Sequence, residues 1–284
     1  MTSAMSKEPI DIQKPLADLA QWTACFRAAD IPVLRQTAET LEALRANEDQ
    51  TDANSIGEMI AGDPLMTLKV LAYAADHRSR RVITDVETVT SALVMLGISP
   101  FFQAFPAQPT VEARLQRYPQ ALAGLTGVLR RAHRGADFAL GFAVHLTAPN
   151  AAAIHAAALL HEFAELLLWT HAPGLALRIW ETQQKSPNLR SSAVQREVLR
   201  VELPDLQAAL VSTWKLPVLL SQRRGELPSG GAGTRIVELA ARLARHTSTG
   251  WDNPAVPDDI REIASLLNLS PVATLQLVMG IAAD

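Results

Sequence analysis

The sequence of 284 residues contains a single cysteine, Cys25. One thiol cannot form an internal disulfide, and it excludes the zinc sites that are built from paired cysteines. A reducing compartment is therefore expected, with a hydrophobic core as the source of stability. Hydrophobic residues make up 48% of the chain and charged residues 19%. This composition is typical of a globular protein and excludes a disordered one.

An excess of positive charge is also missing. Lys and Arg total 26 against 29 Asp and Glu, for a formal net charge of -3. Proteins that bind nucleic acid normally present a concentrated basic face, so we expect no nucleic-acid partner. Short basic clusters occur at 78–81 and 130–134. We interpret them as solvated surface, with an anion site as the alternative.

No uninterrupted apolar run reaches the ~20 residues that a membrane-spanning helix needs. The stretch 151–169 comes closest, but His155, His161, Glu162 and Glu165 interrupt it. The N-terminal residues carry early charges and no continuous apolar segment, unlike a secretory signal. We expect a soluble cytoplasmic protein that does not associate with membranes.

Strand-like alternation of apolar and polar residues is nearly absent. Only Val82–Val89 fits a strand, and it fits a helix equally well. By contrast, apolar residues recur at spacings of three and four in the segment 33–47, which predicts an amphipathic helix. The sequence therefore predicts an all-α fold.

Three short motifs predict helix starts. Ser55 with Glu58 has the spacing of a capping box, while Asp63 and Ser270 each precede a proline, a pattern typical of an N-cap followed by the first helical residue. The stretch 99–110, SPFFQAFPAQPT, breaks the helical pattern. It predicts a boundary between two helical bundles, one over 10–105 and the other over 106–284.

A candidate metal site lies in the second of these bundles. His133 and Asp137 are four residues apart and share a helix face. His161 and Glu162 are expected on the following helix, after the turn at 147–150, and antiparallel packing would bring the two pairs together. Such a group could hold a divalent cation that activates water for phosphoester hydrolysis. In the alternative interpretation, His161 is a core histidine that donates to a backbone carbonyl, and Glu162 points to water.

The order and spacing of six segments closely resemble the HDOD domain, over roughly residues 20–225. The segments are IPVLRQTAETLEAL, SIGEMIAGDPLMTLKVLAYAA, VETVTSALVMLG, RRAHRGADFALGFAVHL, LLHEFAELLLW and EVLRVELPDLQAALVSTWKLP. The resemblance implies an all-α relative of the HD metal-dependent phosphohydrolases, which include the HD-GYP cyclic-di-GMP phosphodiesterases. It also implies a catalytically silent bacterial signalling module whose second bundle is HD-like.

At several positions this sequence differs from the HD and HD-GYP enzymes to which the resemblance relates it. Glu162 stands where HD enzymes have the aspartate of a His-Asp doublet, and Glu165 where HD-GYP enzymes have a lysine. Leu203 replaces a further histidine, and residues 222–224 replace a pair of histidines. Too few ligands remain for a tightly held catalytic metal. We therefore predict no catalytic residue, no metal and no cofactor.

Three functional hypotheses follow. The first is a non-catalytic signal-transduction module that binds a protein partner. The second is an HD-type phosphodiesterase with an unusual His-Glu metal site, formed by His133, Asp137, His161 and Glu162. The third is a sensor that binds a cyclic nucleotide through Arg130, Arg131 and Arg134 without cleaving it. The other histidines, His145, His155 and His171, are expected to be surface or structural residues.

Overall fold

The computed structural model describes residues 10–77, 86–186, 188–220 and 231–283. Within these ranges the regular secondary structure is helical, and the one strand-like feature is an isolated parallel bridge between Val33 and Thr110. The predicted all-α class is confirmed. Residues 82–85 of the ambiguous stretch 82–89 lie outside the described residues, and a helix begins at its last residue, Val89.

The helices are short except for α8. In chain order they are α1 (Leu19–Ala28), α2 (Arg35–Ala46), α3 (Ala53–Ala61), α4 (Pro64–Asp76), α5 (Val89–Leu96), α6 (Ile98–Ala104), α7 (Val111–Arg114), α8 (Pro119–His145), α9 (Ala151–Leu159), α10 (Phe163–His171), α11 (Pro173–Lys185), α12 (Ser191–Leu199), α13 (Leu203–Trp214), α14 (Ala232–His246), α15 (Val256–Leu267) and α16 (Pro271–Ile281). Two 3₁₀ turns cover Glu48–Gln50 and Val218–Leu220.

The chain divides into two compact units. The first unit is formed by residues 1–128 with 163–216, and the second by residues 129–162 with 217–284. Each unit therefore combines two separated segments, whereas the sequence analysis divides the chain once, between 105 and 106. The stretch 99–110 contains most of α6 and belongs to the first unit.

Several helices start at a residue whose side chain caps the first turn. The Asp63 and Ser270 side chains cap α4 and α16 as predicted, each ahead of a first-turn proline. The Ser55 prediction is wrong, because the N-cap of α3 is Asp52, three residues earlier. There the Asp52 carboxylate accepts the backbone N–H groups of Asn54 and Ser55, at 2.8 and 2.9 Å. A carboxylate also suits the positive end of the helix dipole.

Asp63 caps α4 and also bonds a second segment of the chain. Its carboxylate is fully buried in the first unit. One oxygen accepts the N–H groups of Leu65 and Met66, and the other accepts that of Leu34 at 2.8 Å, just before α2. Thr37 adds a side-chain hydrogen bond. Burial raises the pKa of Asp63, while these hydrogen bonds act in the opposite direction. The residue thereby joins the starts of α2 and α4.

The core of the first unit surrounds this connection. Apolar side chains from α2 to α6 form one cluster, in which Leu41, Ile60, Met66 and Phe101 are almost completely buried. Elsewhere in the unit, the buried Trp22 of α1 donates its indole N–H to the Leu199 carbonyl at 3.0 Å. The polar atom of this large side chain is thus satisfied inside the core.

In the second unit, α14 packs against α9 and α15. Its apolar face is buried, and its opposite face carries arginines that pair with acids of α15. The Arg242 guanidinium lies 2.7 Å from Asp259 and 2.9 Å from Glu262, and His246 lies 2.6 Å from Asp259. Gly135 of α8 approaches α14 closely, since a Cβ there would lie 3.6 Å from the Cα of Ala241.

Among the described residues, Ala151–His171 is long and apolar enough to cross a membrane, although most of it is buried as in the core helix of a folded protein. A second candidate, α15 together with α16, is bent by 100°. Length and composition alone are weak evidence for a span in either case.

Substitution of Asp63 by alanine should lower the free energy of unfolding by about 3 kcal/mol, because several buried backbone donors lose their acceptor together. Asp52→Ala is a matched control, since it removes an exposed N-cap and should cost about 1 kcal/mol. Urea unfolding of both variants measures the difference. Equal losses would show that Asp63 acts only as a local cap.

Two glycines of α8 should respond in opposite directions to alanine. A Cβ at Gly124 would overlap the buried ring of Trp169, so Gly124→Ala should destabilise the protein by about 2 kcal/mol. A Cβ at Gly127 would meet no atom within 4 Å, so Gly127→Ala should stabilise the helix by up to about 1 kcal/mol. Thermal unfolding measures both effects. This packing would be contradicted if both variants raised, or both lowered, the unfolding midpoint temperature.

Candidate functional site

The His161-Glu162 doublet lies in the turn between α9 and α10, and not inside a helix as predicted. α9 ends at Leu159 and α10 begins at Phe163. The His161 N–H bonds to the carbonyl of Ala158, three residues back, at 3.1 Å. This tighter pattern ends the regular α-helix. The doublet therefore occupies a point where the chain changes direction.

The Glu162 carboxylate is held between two arginines. Its Oε2 accepts the Arg131 Nε–H at 2.6 Å, while its Oε1 accepts Nη2–H and Nε–H of Arg245 at 2.7 and 3.1 Å. The Glu162 and Arg131 side chains are each 18% exposed, so solvent screens this pair only weakly. We call these three residues the Glu162 clamp.

The charges around Glu162 keep it ionised. Burial raises the pKa of this carboxyl, but the guanidiniums of Arg245 and Arg131 outweigh burial and lower it to about 2. Arg131 lies on α8 and Arg245 on α14, so the clamp connects both helices to the α9–α10 turn within the second unit. The alternative in which Glu162 points to water is wrong, because its carboxylate is buried and paired.

The basic cluster at 130–134 is not simply solvated surface. Arg131 belongs to the clamp, and the Arg134 guanidinium lies over the rings of Phe138 and Trp251, at 5.6 and 5.2 Å from their centroids. Burial lowers the pKa of Arg134. Only Arg130 of these three is exposed. Two of the three arginines thus contribute to packing in the second unit.

A small cavity adjoins the clamp. Its volume is about 10 Å³, and it is lined by Arg131, Ala132, Gly135, Ala158, His161, Glu162 and Ala241. This volume approaches the minimum for a single water molecule. Two of its lining residues, Gly135 of α8 and Ala241 of α14, lie close together, since a Cβ on Gly135 would be 3.6 Å from the Ala241 Cα.

The other two predicted metal ligands, His133 and Asp137, lie on α8. Asp137 is exposed and His133 is half-buried. Both act electrostatically on His155 of α9. Burial lowers the pKa of His155, Asp137 raises it and His133 lowers it, so that the pKa is lowered overall. The side chains whose charges act on Glu162 are instead Arg245, Arg131 and His161.

The resemblance to the HD enzymes implies a metal ion, and the residues here do not fit one. In the part of the chain that the structure describes, no three His, Cys, Asp or Glu side chains gather closely enough to hold a metal ion. His133, Asp137, His161 and Glu162 therefore do not form the group considered from the sequence. The carboxylate of the doublet is engaged by two cationic side chains, which would repel a metal ion.

Two further histidines have structural contacts. The His145 Nε2 lies 3.2 Å from the Leu267 carbonyl. In the first unit, His171 is completely buried, and the Nη1 of Arg114 lies 2.8 Å from its Nδ1. Burial and the Arg114 charge lower the pKa of His171 to about 3, so it is neutral at pH 7. Its Nδ1 is then the acceptor and Arg114 the donor.

Sequence reasoning missed Arg245. This residue is 83 positions from Glu162, and no local spacing relates the two. Arg131 was noted only as a member of a basic cluster, because its partner is 31 positions away. A buried acid in an apolar segment does require a compensating partner, but the segment cannot identify which cation supplies it.

The clamp should make the stability of the protein depend on pH in the acidic range. A carboxyl whose pKa falls from 4.5 to about 2 on folding contributes stability above pH 4.5, and this contribution is lost as pH falls toward 2. Glu162→Gln removes the titrating group. At pH 7 the unfolding free energy of this variant should be lower than that of wild type. The difference between the two should decrease by about 1.4 kcal/mol for each pH unit below about 4.5.

Urea unfolding between pH 3.5 and 7 measures how the difference in unfolding free energy between wild type and Glu162→Gln changes with pH. The matched control is Glu42→Gln, because Glu42 pairs with Arg45 at 2.6 Å but is 52% exposed. Exposed pairs contribute little, so this variant should follow wild type at every pH. A constant gap between wild type and Glu162→Gln would contradict the clamp.

Two solved structures share this fold along nearly their whole length. The MmoQ response regulator from Methylococcus capsulatus str. Bath aligns with a TM-score of 0.65 and 18% identity, over 88% of this chain and 98% of that one. A virulence factor from Campylobacter jejuni subsp. jejuni aligns with a TM-score of 0.58 and 15% identity, over 94% and 99%. At such identities the likeness is one of fold.

No curated protein matches the chain. A family model of the HDOD domain matches residues 31–223, close to the span over which the sequence motifs show their resemblance. This match covers more than half of the chain and includes α8, which supplies Arg131 to the clamp, and the α9–α10 turn, which supplies Glu162. The chain therefore belongs to the HDOD domain family.

Proposed function

We propose that this protein is a non-catalytic signal-transduction module that acts by binding a protein partner. Membership of the HDOD family and similarity in fold to a protein named a response regulator support a signalling role. The observation that carries the non-catalytic part is the Glu162 clamp, because the carboxylate at the doublet position accepts hydrogen bonds from two guanidiniums.

The clamp opposes a metal ion on electrostatic grounds. A divalent cation ligated by Glu162 would have to replace Arg131 or Arg245, or would lie beside both positive charges. Replacement leaves a partly buried guanidinium without its counterion, which costs several kcal/mol. A ligand set with His161 alone does not offset that cost, since metal sites need three or more protein ligands.

The size of the adjoining cavity opposes a phosphoester substrate. Its volume of about 10 Å³ approaches the minimum for one water molecule, which is far less than a phosphoester needs. A phosphate group with its ester substituents would require α8 and α14 to separate where Gly135 faces Ala241. Such a movement would also stretch both salt bridges to Glu162.

Contacts of the arginines favour a protein partner over a cyclic nucleotide. Arg131 already binds a carboxylate, and Arg134 stacks on aromatic rings, so the three arginines do not converge as a phosphate site. Large apolar side chains are exposed on α16 of the second unit, including Val272 at 68% and Met279 at 50%. Exposed apolar side chains that share a helix face are typical of protein interaction surfaces.

Metal content after reloading tests the non-catalytic part. Wild type, Glu162→Asp and His161→Ala are incubated with Mn²⁺, Fe²⁺ or Zn²⁺, desalted and measured by elemental analysis. We expect far less than one metal per chain in all three. Glu162→Asp restores the His-Asp doublet, but its shorter side chain does not remove the two arginines.

Hydrolysis of cyclic-di-GMP and of bis(p-nitrophenyl) phosphate is assayed on the same preparations, and we expect none above buffer. Near-stoichiometric metal that is lost in His161→Ala, together with phosphodiester cleavage, would replace this proposal with the phosphohydrolase hypothesis. Calorimetry against cyclic-di-GMP should show no heat of binding. Saturable heat that disappears in Arg134→Gln would favour the nucleotide sensor instead.

A further inference from the structure

The helix α16 of the second unit buries one face and exposes the opposite one. Thr274 and Val278 are completely buried, while Val272, Leu275 and Met279 are 68%, 39% and 50% exposed. The exposed residues are spaced by three and then four positions, so their side chains form one stripe along the helix. This is the spacing at which two helices pack against each other. We call these three residues the α16 stripe.

α16 is anchored at both of its ends. At its start, the Ser270 side chain accepts the Ala273 N–H at 3.2 Å. Toward its end, Ile281 packs on α8, where a Cβ at Gly141 would overlap the Ile281 Cδ1. The stripe therefore belongs to a fixed helix, and a preformed surface binds without the cost of ordering its own backbone.

Exposed apolar side chains of α8 lie beside this anchor. Leu140 and Val144 share a face of α8, and Gly141, on which Ile281 packs, stands between them in the sequence. In the described part of the second unit, the large apolar side chains with high exposure all belong to α8 and α16. Such a concentration on two helices in contact differs from the scattered apolar residues of an ordinary surface, and it indicates an interaction surface.

The composition of α16 favours a second copy of the chain as the partner. The helix contains no charged residue from Pro271 to Ile281. Helices that lie on lipid surfaces normally carry Lys and Arg on their polar face, so a membrane is not favoured. Electrostatic complementarity gives specificity between different proteins, and α16 offers no charge for it. Two identical faces meet without like-charge repulsion when both are neutral.

The α16 stripe also has the symmetry that a pair of identical helices needs. Residues 272 and 279 are equally distant from the midpoint between Leu275 and Gln276. An antiparallel pair with its two-fold axis at this midpoint therefore places Val272 of each copy against Met279 of the other. The exposed Gln276 carboxamides of the two copies can bond to each other, because each has a donor and an acceptor. A closed two-fold interface requires this self-complementarity.

We propose that α16 is a homodimer interface, in which the α16 stripe packs antiparallel against the same stripe of a second copy of the chain. The inference names the occupant of this surface, and it rests on the protein-binding part of the proposed function. A single helix from each copy forms a small interface, and small interfaces associate weakly and reversibly.

Sedimentation velocity of the wild-type chain from about 5 to 500 µM covers the range expected for a weak interface. The sedimentation coefficient should rise with concentration from the monomer value toward the dimer value. Met279→Glu should weaken dimerisation at least about tenfold, because it places a charge in the buried stripe. Trp180→Glu is the matched control, since Trp180 is 49% exposed on α11 of the first unit, and it should dimerise like wild type. Monomeric wild type throughout, or equal weakening by both variants, would overturn the proposal.

Two double variants test the antiparallel arrangement. In Val272→Glu/Met279→Lys, opposite charges face each other across an antiparallel pair, so dimerisation should persist. In Val272→Glu/Met279→Glu, like charges meet, and dimerisation should be at least about tenfold weaker than in the first variant. Circular dichroism checks that both variants keep the helical content of wild type. A parallel pair would bring like charges together in both variants, so equal loss in the two would contradict the arrangement.

Failure of the dimer can be distinguished from failure of the proposed function. A monomeric chain that binds no metal and cleaves no phosphodiester would overturn the homodimer and leave the non-catalytic module, with a different protein on α16. A monomeric chain that floats with vesicles of phosphatidylcholine and phosphatidylglycerol would replace the second copy with a lipid surface. Metal loading with phosphodiester cleavage would overturn the proposed function, whether or not the chain dimerises.

Discussion

A buried carboxylate that must be neutralised organises the second unit. Glu162 lies in the turn between two apolar helices, where an unpaired charge would cost several kcal/mol. Arg131 and Arg245 supply the compensating charge at 2.6 and 2.7 Å, and they come from α8 and α14. The pairing therefore fixes the α9–α10 turn against two other helices. The same contacts occupy the carboxylate that a metal ion bound at this doublet would need.

Charged groups have a comparable structural role in the first unit. The Asp63 carboxylate joins the starts of α2 and α4 through backbone N–H groups, and the Lys69 ammonium joins the chain after α1 to the segment 104–109. In each case one polar side chain bonds groups from two segments that are far apart in the sequence. Such groups are costly to leave unpaired, so they select one arrangement of the surrounding helices.

In this member of the HDOD family, the carboxylate of the doublet joins three parts of the second unit through the Glu162 clamp. Two guanidiniums carry the same total charge as one divalent cation, so the arginine pair neutralises Glu162 without a metal ion. The geometry differs, because guanidiniums are planar and donate hydrogen bonds, and they leave no open coordination position for water or substrate. A packed salt bridge is the result, beside a cavity of about 10 Å³.

The sequence by itself determined the all-α class, the family and those helix starts at which an acid or serine precedes a proline, because helical periodicity and N-capping depend on neighbours within a few residues. It also indicated that an acid at 162 required a partner. Only the tertiary structure decided which cation that partner is, that the doublet lies in a turn, and that each unit combines two separated segments. These features depend on contacts between residues 31 and 83 positions apart, as between Glu162 and its two arginines, and no local pattern encodes such contacts.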